Sequence, residues 1–96
     1  MFSEIRNWAL DRNLVTGSTP SVQLNKLMEE VGELASGINK RNTEVVLDSI
    51  GDTIVVLTIM AAQYGIEVEK CIEMAYDTIK DRKGRMVGGM FIKEGD

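Results

Sequence analysis

The stretch VQLNKLMEEVGELASGIN, residues 22–39, decides the fold class. Its apolar residues recur at spacings of three and four, which is the period of a helix with one face against a core. They are Leu24, Leu27, Val31, Leu34 and Ile38. The stretch therefore predicts a long amphipathic helix with these five side chains in its core face.

Similar periodicity predicts three more helices, so the chain is expected to be all-α. Helices are predicted over residues 3–13, 22–39, 44–64 and 67–82. Ser3, Pro20 or Ser21, and Asn42 or Thr43 are the candidate first residues or caps, and Gly65 fits a helix C-terminus. The glycine-rich tail, residues 84–96, predicts an extended segment or a short hairpin. We expect one four-helix-bundle-like domain over residues 1–96 with a non-helical tail.

Size and composition exclude several classes of protein. Ninety-six residues bury only a modest core, so self-association is expected. The net charge of -4 gives no basic surface for a polynucleotide. The apolar run 54–62 is shorter than a bilayer span, so no membrane partner is expected. Cys71 is the only cysteine and is predicted to lie in the core; with no disulfide to form, a cytoplasmic location is expected.

The chain contains no histidine. Imidazole is therefore excluded both as a general base and as a metal ligand, which leaves carboxylates, hydroxyls, lysines and arginines for any chemistry. Carboxylate oxygens favour hard cations such as Mg²⁺, Mn²⁺ or Ca²⁺ over zinc.

The second predicted helix carries three glutamates in the sequence EEVGE, residues 29–33. Glu30 and Glu33 project from neighbouring positions and could hold one cation together, whereas Glu29 points more towards solvent. The simpler alternative is a solvated acidic face in which Lys26 pairs with Glu30.

The third predicted helix carries two aspartates into an apolar segment, LDSIGDTIVVLTIM, residues 47–60. An unpaired buried carboxylate costs several kcal/mol, so Asp48 and Asp52 need a compensating charge. A structural ion pair is one alternative, but no lysine or arginine occurs between Arg41 and Lys70. A divalent cation held between two antiparallel helices compensates both sets of acids.

The segments KLMEEVGELA and DSIGDTIVVL together resemble the all-α nucleoside triphosphate pyrophosphohydrolases of the MazG-like type, whose signature is EExxE followed by ExxD. Small phage-type members have a similar C-terminal tail. The resemblance implies a helical homodimer or homotetramer that binds Mg²⁺, with Mn²⁺ as a substitute. It also implies hydrolysis of a nucleoside triphosphate to the monophosphate and pyrophosphate.

Carried onto this sequence, the resemblance assigns Glu30, Glu33 and Asp52 as metal ligands. The glutamate of ExxD falls at Ser49, which is a departure from the signature, and Asp48 is predicted to replace it. Glu29 or Glu33 is the expected catalytic base. Positive charge for the phosphates is expected from Lys26, Lys80, Arg82, Lys83, Arg85 and Lys93.

Trp8 is the only tryptophan and has two possible roles, stacking on a nucleobase or helix packing, of which packing is favoured. Two other functions stay open. One is a non-catalytic helical interaction module with a solvated acidic seam. The other is an enzyme similar to phosphoribosyl-ATP pyrophosphohydrolase, with the same metal chemistry and another substrate.

Overall fold

The computed structural model describes residues 1–95 and confirms the all-α class with four helices. The elements are α1 (Phe2–Asp11), α2 (Pro20–Asn39), α3 (Thr43–Gln63), α4 (Val68–Ile79), β1 (Gly84–Val87) and β2 (Met90–Lys93). The two strands pair antiparallel as a hairpin, from Gly84 opposite Lys93 to Val87 opposite Met90. The tail thus takes one of its two predicted forms.

Local side-chain chemistry explains where the central helices begin and end. Thr19 Oγ1 accepts a hydrogen bond from the Val22 amide at 3.2 Å, and Pro20 occupies the first turn of α2. Asn42 Oδ1 caps α3 by accepting from the Val45 amide at 3.3 Å. Gly65 has a φ of 74°, as a glycine after a helix should. The predicted Ser3 cap is wrong, because α1 starts at Phe2 and no side chain caps it.

Helices α2 and α3 form a tight antiparallel hairpin that is the centre of the fold. The inner seam of α2, defined as the residues facing α3, is at least half-buried and recurs at spacings of four and three. It consists of Gln23, Leu27, Glu30, Leu34 and Gly37. Near the turn the backbones approach closely, because a Cβ on Gly37 would lie 2.9 Å from Val45 Cγ1 and 3.2 Å from the Val46 amide nitrogen.

Gly37→Ala is therefore expected to destabilise the protein by about 1–3 kcal/mol, since the added methyl group overpacks the α2–α3 contact. Gly32→Ala is the matched control on the same helix, because no described atom lies within 4 Å of its Cβ position. The control should gain up to about 1 kcal/mol from helix propensity. Urea unfolding of both variants measures the difference, and equal stabilities would contradict the close approach.

Helix α1 is held by its buried Ala9 and by an ion pair to the start of α4. Both guanidinium nitrogens of Arg6 donate to the Glu69 carboxylate, Nη2 to Oε2 at 3.0 Å and Nη1 to Oε1. The hydrogen bonds from Arg6 lower the pKa of Glu69, and those to Glu69 raise the pKa of Arg6. The pair links elements that are 63 residues apart in the chain.

The pKa of Glu69 is lowered in the folded protein. The Arg6–Glu69 ion pair therefore stabilises the fold at pH values above the ordinary glutamate pKa of 4.5, and this stabilisation is lost as the pH falls through the lower folded pKa. Glu69→Gln should therefore lower Tm at neutral pH, and the gap to the wild type should close in acid. Glu73→Gln, which breaks an exposed pair with Lys70, is the control and should change Tm less. A gap that stays constant down to acid pH would contradict this role.

The hydrophobic core of the described chain is small, and many large apolar side chains remain exposed. Within residues 1–95 the buried apolar side chains are Ala9, Val56, Ile59, Ala61 and Val68. The radius of gyration is 16.1 Å, against about 13 Å for a compact chain of this length. The predicted core face of α2 is wrong at three of its five positions, because Leu24, Val31 and Ile38 are exposed. Cys71 is also exposed rather than buried in the core.

The C-terminal arm, defined as residues 76–95, stands away from the helices. Helix α4 touches α3 mainly through its first turns, and every residue from 70 to 95 is exposed. The predicted apolar stripe of α4 is thus uncovered beyond Val68. The apolar residues of the hairpin are uncovered as well, including Met86 and Phe91.

Helix α3 is long and apolar enough to cross a membrane by length and composition alone. Core helices often meet the same criterion, and one such helix is weak support for insertion. The aspartates Asp48 and Asp52 lie within it.

Candidate metal centre

Helices α2 and α3 bring three carboxylates to one point. Oxygens of Glu30, Glu33 and Asp52 all lie within 4.8 Å of one another. Oxygens that share one Mg²⁺, Mn²⁺ or Ca²⁺ are each about 2.0–2.6 Å from it, so ligands of one ion lie no more than about 5 Å apart. The three carboxylates can therefore bind a single hard cation without a change of backbone.

Glu30 has an unsatisfied oxygen in this cluster. The residue is 4% exposed, and its Oε2 atom is buried with no hydrogen-bond partner among residues 1–95. A buried carboxylate oxygen without a donor costs at least about 1–3 kcal/mol. A cation bound between the three acids would satisfy this atom, so the donor set fits a divalent metal ion.

Lys26 compensates only part of the negative charge. Its Nζ lies 3.4 Å from Glu30 Oε1 and 3.5 Å from Glu29 Oε2. The hydrogen bond and the charge of Glu30 raise the pKa of Lys26, with a smaller contribution from Glu29. The expected pairing of Lys26 with Glu30 is present, but Glu33 and Asp52 form no ion pair within the described chain. The alternative of a solvated acidic face fits the exposed Glu29 and Glu33 but not the buried Glu30.

The position that departs from the acidic signature is buried beside the cluster. Ser49 is 1% exposed, and its carbonyl accepts a hydrogen bond from Thr53 Oγ1 at 2.7 Å. Asp48 is exposed and lies one turn before Asp52, about 6 Å along the helix. It lies outside the group of three converging acids. Its predicted role as a replacement ligand therefore stays a prediction.

Trp8 lies beside the acids rather than in the core. An open cavity of about 420 Å³ is lined by Glu4, Ile5, Trp8, Asp52 and Val55. Trp8 is 45% exposed, and the Arg12 guanidinium carbon lies 4.6 Å from its ring centroid. Trp8 is therefore about half covered, and its two predicted roles, helix packing and base stacking, both stay predictions. A flat apolar ligand could contact Trp8 while its charged end reaches Asp52.

The sequence analysis missed the other walls of this cavity. Ile5 lies three residues before Trp8, and Val55 lies three after Asp52, so each shares a helix face with a predicted site residue. That spacing was the available signal.

The basic residues predicted to bind phosphate do not lie together. Lys26 is in the cluster, whereas Lys80, Arg82, Lys83, Arg85 and Lys93 are all in the C-terminal arm. Lys80 pairs with Asp77 at 3.3 Å. Arg82, Lys83 and Arg85 form no ion pair with residues 1–95, which leaves their charges available to an external anion.

Comparison with known proteins gives two matches. The family model of the MazG nucleotide pyrophosphohydrolase domain matches residues 18–87, which contain α2, α3, α4 and the first hairpin strand. An uncharacterized 18.2 kDa protein in the rep-hol intergenic region of Haemophilus phage HP1 is 52% identical over 67 residues. That match covers 70% of this chain and 41% of the phage protein, so the chain spans less than half of its relative's length.

No solved structure matches this chain significantly. The family match covers more than half of the chain and includes all three converging acids. The chain belongs to the MazG nucleotide pyrophosphohydrolase domain family.

Proposed function

We propose that the protein is a divalent-metal-dependent pyrophosphohydrolase that converts a nucleoside or deoxynucleoside triphosphate and water to the monophosphate and pyrophosphate. One observation supports this most strongly. Glu30, whose Oε2 is buried without a partner, belongs to a group of three carboxylates with the spacing of a single-ion site. Mg²⁺ is the proposed ion and Mn²⁺ the proposed substitute, because the ligands are all oxygens.

Glu30, Glu33 and Asp52 would hold the ion, and Asp48 is the proposed fourth ligand. When bound, such an ion offsets phosphate charge and makes a nearby water easier to deprotonate. Glu29 and Glu33 are the candidate bases, because both are exposed next to the cluster and either carboxylate can accept the proton of the attacking water. The water attacks the α-phosphorus, and pyrophosphate leaves with the bridging oxygen.

Trp8 is proposed to stack on the nucleobase in the cavity beside Asp52. Base stacking on an aromatic side chain contributes about 1–3 kcal/mol, so Trp8→Ala should raise KM by about 5-fold to 100-fold. Trp8→Phe is the control and should retain most of the affinity. An unchanged KM in Trp8→Ala, measured from pyrophosphate release, would assign Trp8 to packing instead.

The partner proposed is a second copy, in a homodimer or homotetramer. An outer seam follows the covered positions of both helices by one residue, which are the inner seam on α2 and Val46, Ser49, Thr53 and Val56 on α3, and it is apolar and largely exposed. It consists of Leu24, Met28, Val31, Ala35, Ile38, Leu47, Ile50, Ile54 and Leu57. One residue turns a helix by about 100°, and in antiparallel helices these turns bring both halves to the same side. That continuous face is the surface that a second copy would cover.

The proposal is tested by measuring pyrophosphate release from the eight common NTPs and dNTPs and from phosphoribosyl-ATP, with Mg²⁺, with Mn²⁺ and with chelator. Release that depends on the metal supports it. If only phosphoribosyl-ATP is hydrolysed, the related substrate class is correct. If no substrate is hydrolysed while the chain remains oligomeric, the non-catalytic interaction module is correct. Neither a polynucleotide nor a membrane is a proposed partner, and the proposed location is the cytoplasm.

A further inference from the structure

We infer that Glu4 gives the site a preference for guanine among the bases of its nucleotide substrates. This inference rests on the proposed function, because it adds the base preference of the same site. A nucleotide whose phosphates lie at the three acids would place its base in the adjoining cavity, which Asp52 and Trp8 both line. Glu4 lines this cavity as well and has no role in the proposed chemistry.

The cavity offers a base mostly apolar walls and one further carboxylate. Ile5, Trp8 and Val55 form its apolar and aromatic walls. Asp52 belongs to the three-acid group, whereas Glu4 does not. The volume of about 420 Å³ lies within the range of about 300–1,000 Å³ that is usual for small-ligand sites. A base in this cavity would therefore find Glu4 as the acidic group that is left for its polar edge.

Helix α1 places Glu4 and Trp8 on the same side. They are four residues apart, so they share a helix face and lie about 6 Å apart along the axis. Arg12 follows one turn later, and its guanidinium carbon lies 4.6 Å from the Trp8 ring centroid. Arg12 does not line the cavity, so this cation–π contact holds the ring without filling the space beside Glu4. A base stacked on Trp8 would have an edge within reach of the Glu4 carboxylate.

The contacts of Glu4 leave its carboxylate able to accept hydrogen bonds from a ligand. The Met1 ammonium lies 3.1 Å from Glu4 Oε1, and both side chains are exposed, at 81% and 71%. An ion pair as exposed as this contributes little to stability, so a ligand can displace it. Each carboxylate oxygen can also accept more than one hydrogen bond.

A carboxylate selects a base by the donors on its edge. An ionised glutamate only accepts hydrogen bonds, and its two oxygens suit two adjacent N–H groups. Guanine carries such a pair, N1–H and the N2 amino group. Adenine and cytosine carry an amino group beside a ring nitrogen that accepts, and thymine and uracil carry one N–H between two carbonyl oxygens. Guanine is therefore the common base whose edge complements Glu4.

The first test compares dGTP with dITP, whose base differs from guanine only by the absence of the N2 amino group. The wild type should hydrolyse dGTP with a kcat/KM about 10-fold higher than dITP, because dITP lacks one hydrogen bond to a charged acceptor. Equal kcat/KM values for the two substrates would overturn the inference.

Glu4→Gln should bring the ratio of the two kcat/KM values close to one, because the amide has one accepting oxygen and its nitrogen cannot accept from N2. Glu44→Gln is the matched control, since Glu44 is also an exposed glutamate in the first turn of a helix, and it should keep the wild-type ratio. A general loss of stability or of metal affinity affects both substrates and leaves the ratio unchanged. If Glu4→Gln keeps the preference for dGTP, Glu4 is not the selecting residue.

Trp8 gives a readout that does not need turnover. It is the only tryptophan, so tryptophan fluorescence reports on the surroundings of this residue alone. With Mg²⁺ present, dGMP should change the emission with a dissociation constant about 10-fold lower than that of dIMP, and Glu4→Gln should remove the difference. Equal dissociation constants in the wild type would contradict guanine selection. If the wild type releases no pyrophosphate, the proposed function fails, while this titration still decides whether the cavity prefers guanine.

Discussion

Asp52→Asn is expected to lower metal-dependent pyrophosphate release by about 100-fold or more, because even an outer-shell change at a metal site typically costs about 10–100-fold. Asp52 is the one member of the three-acid group that comes from α3. The amide keeps the shape but removes the charge, so α3 would offer the ion only the proposed ligand Asp48. Glu33→Gln should have a similar effect.

The matched control is Asp11→Asn, which removes an exposed aspartate at the end of α1. Its activity should equal that of the wild type. Circular dichroism of each variant shows whether the helices persist, so that lost activity can be assigned to the site. Asp52→Asn with wild-type turnover would remove Asp52 from the proposed chemistry.

Asp48→Asn in the same assay tests whether Asp48 is the fourth ligand of the metal ion. If Asp48 replaces the glutamate that Ser49 lacks, its loss should approach that of Asp52→Asn. If turnover is unchanged, the site uses three carboxylates and Asp48 is a surface residue, as its exposure in the single chain suggests.

Ile50→Lys is expected to convert the proposed oligomer to monomer. Ile50 lies in the outer seam, and a two-fold interface would place two unpaired ammonium groups in an apolar contact. Leaving a charge unpaired in such a place costs several kcal/mol, so the dissociation constant should rise by about 1,000-fold or more. Sedimentation equilibrium over a range of concentrations measures the change.

Asn25→Lys is the control for this experiment. It adds the same charge to α2 at a position about 100° around the helix from the middle of the outer seam. Its mass in solution should match the wild type. If Ile50→Lys also keeps the wild-type mass at every concentration, the outer seam is not the subunit interface.

The helices were predictable because their signals are local. Spacings of three and four, Pro20 in the first turn of α2, Asn42 as a cap and Gly65 as a terminator need no information from the rest of the fold. The face of α2 that packs against α3 was not predictable in the same way. Its apolar surface is wide enough for two seams one residue apart, and the inner seam contains Gln23 and Glu30. Hydrophobicity alone could not show which seam α3 covers.

The acidic cluster was predictable from topology. Two antiparallel helices joined by a short turn must bring the middle of one beside the middle of the other, so Glu30 and Glu33 meet Asp52. The course of the C-terminal arm was not predictable from the sequence. An apolar stripe on α4 has the same pattern whether its own chain or another chain covers it. The burial of Ser49 was not predicted either, because the neighbouring Asp48 and Asp52 indicated a polar side of the helix.

Titration of Mn²⁺ into the protein by isothermal calorimetry, with a non-hydrolysable nucleotide present, tests the proposed metal site most directly. The wild type should show saturable binding, and Asp52→Asn should bind at least about 10-fold more weakly, while Asp11→Asn binds as the wild type does. Equal binding by the wild type and Asp52→Asn, or no binding by either, would contradict a cation held by Glu30, Glu33 and Asp52.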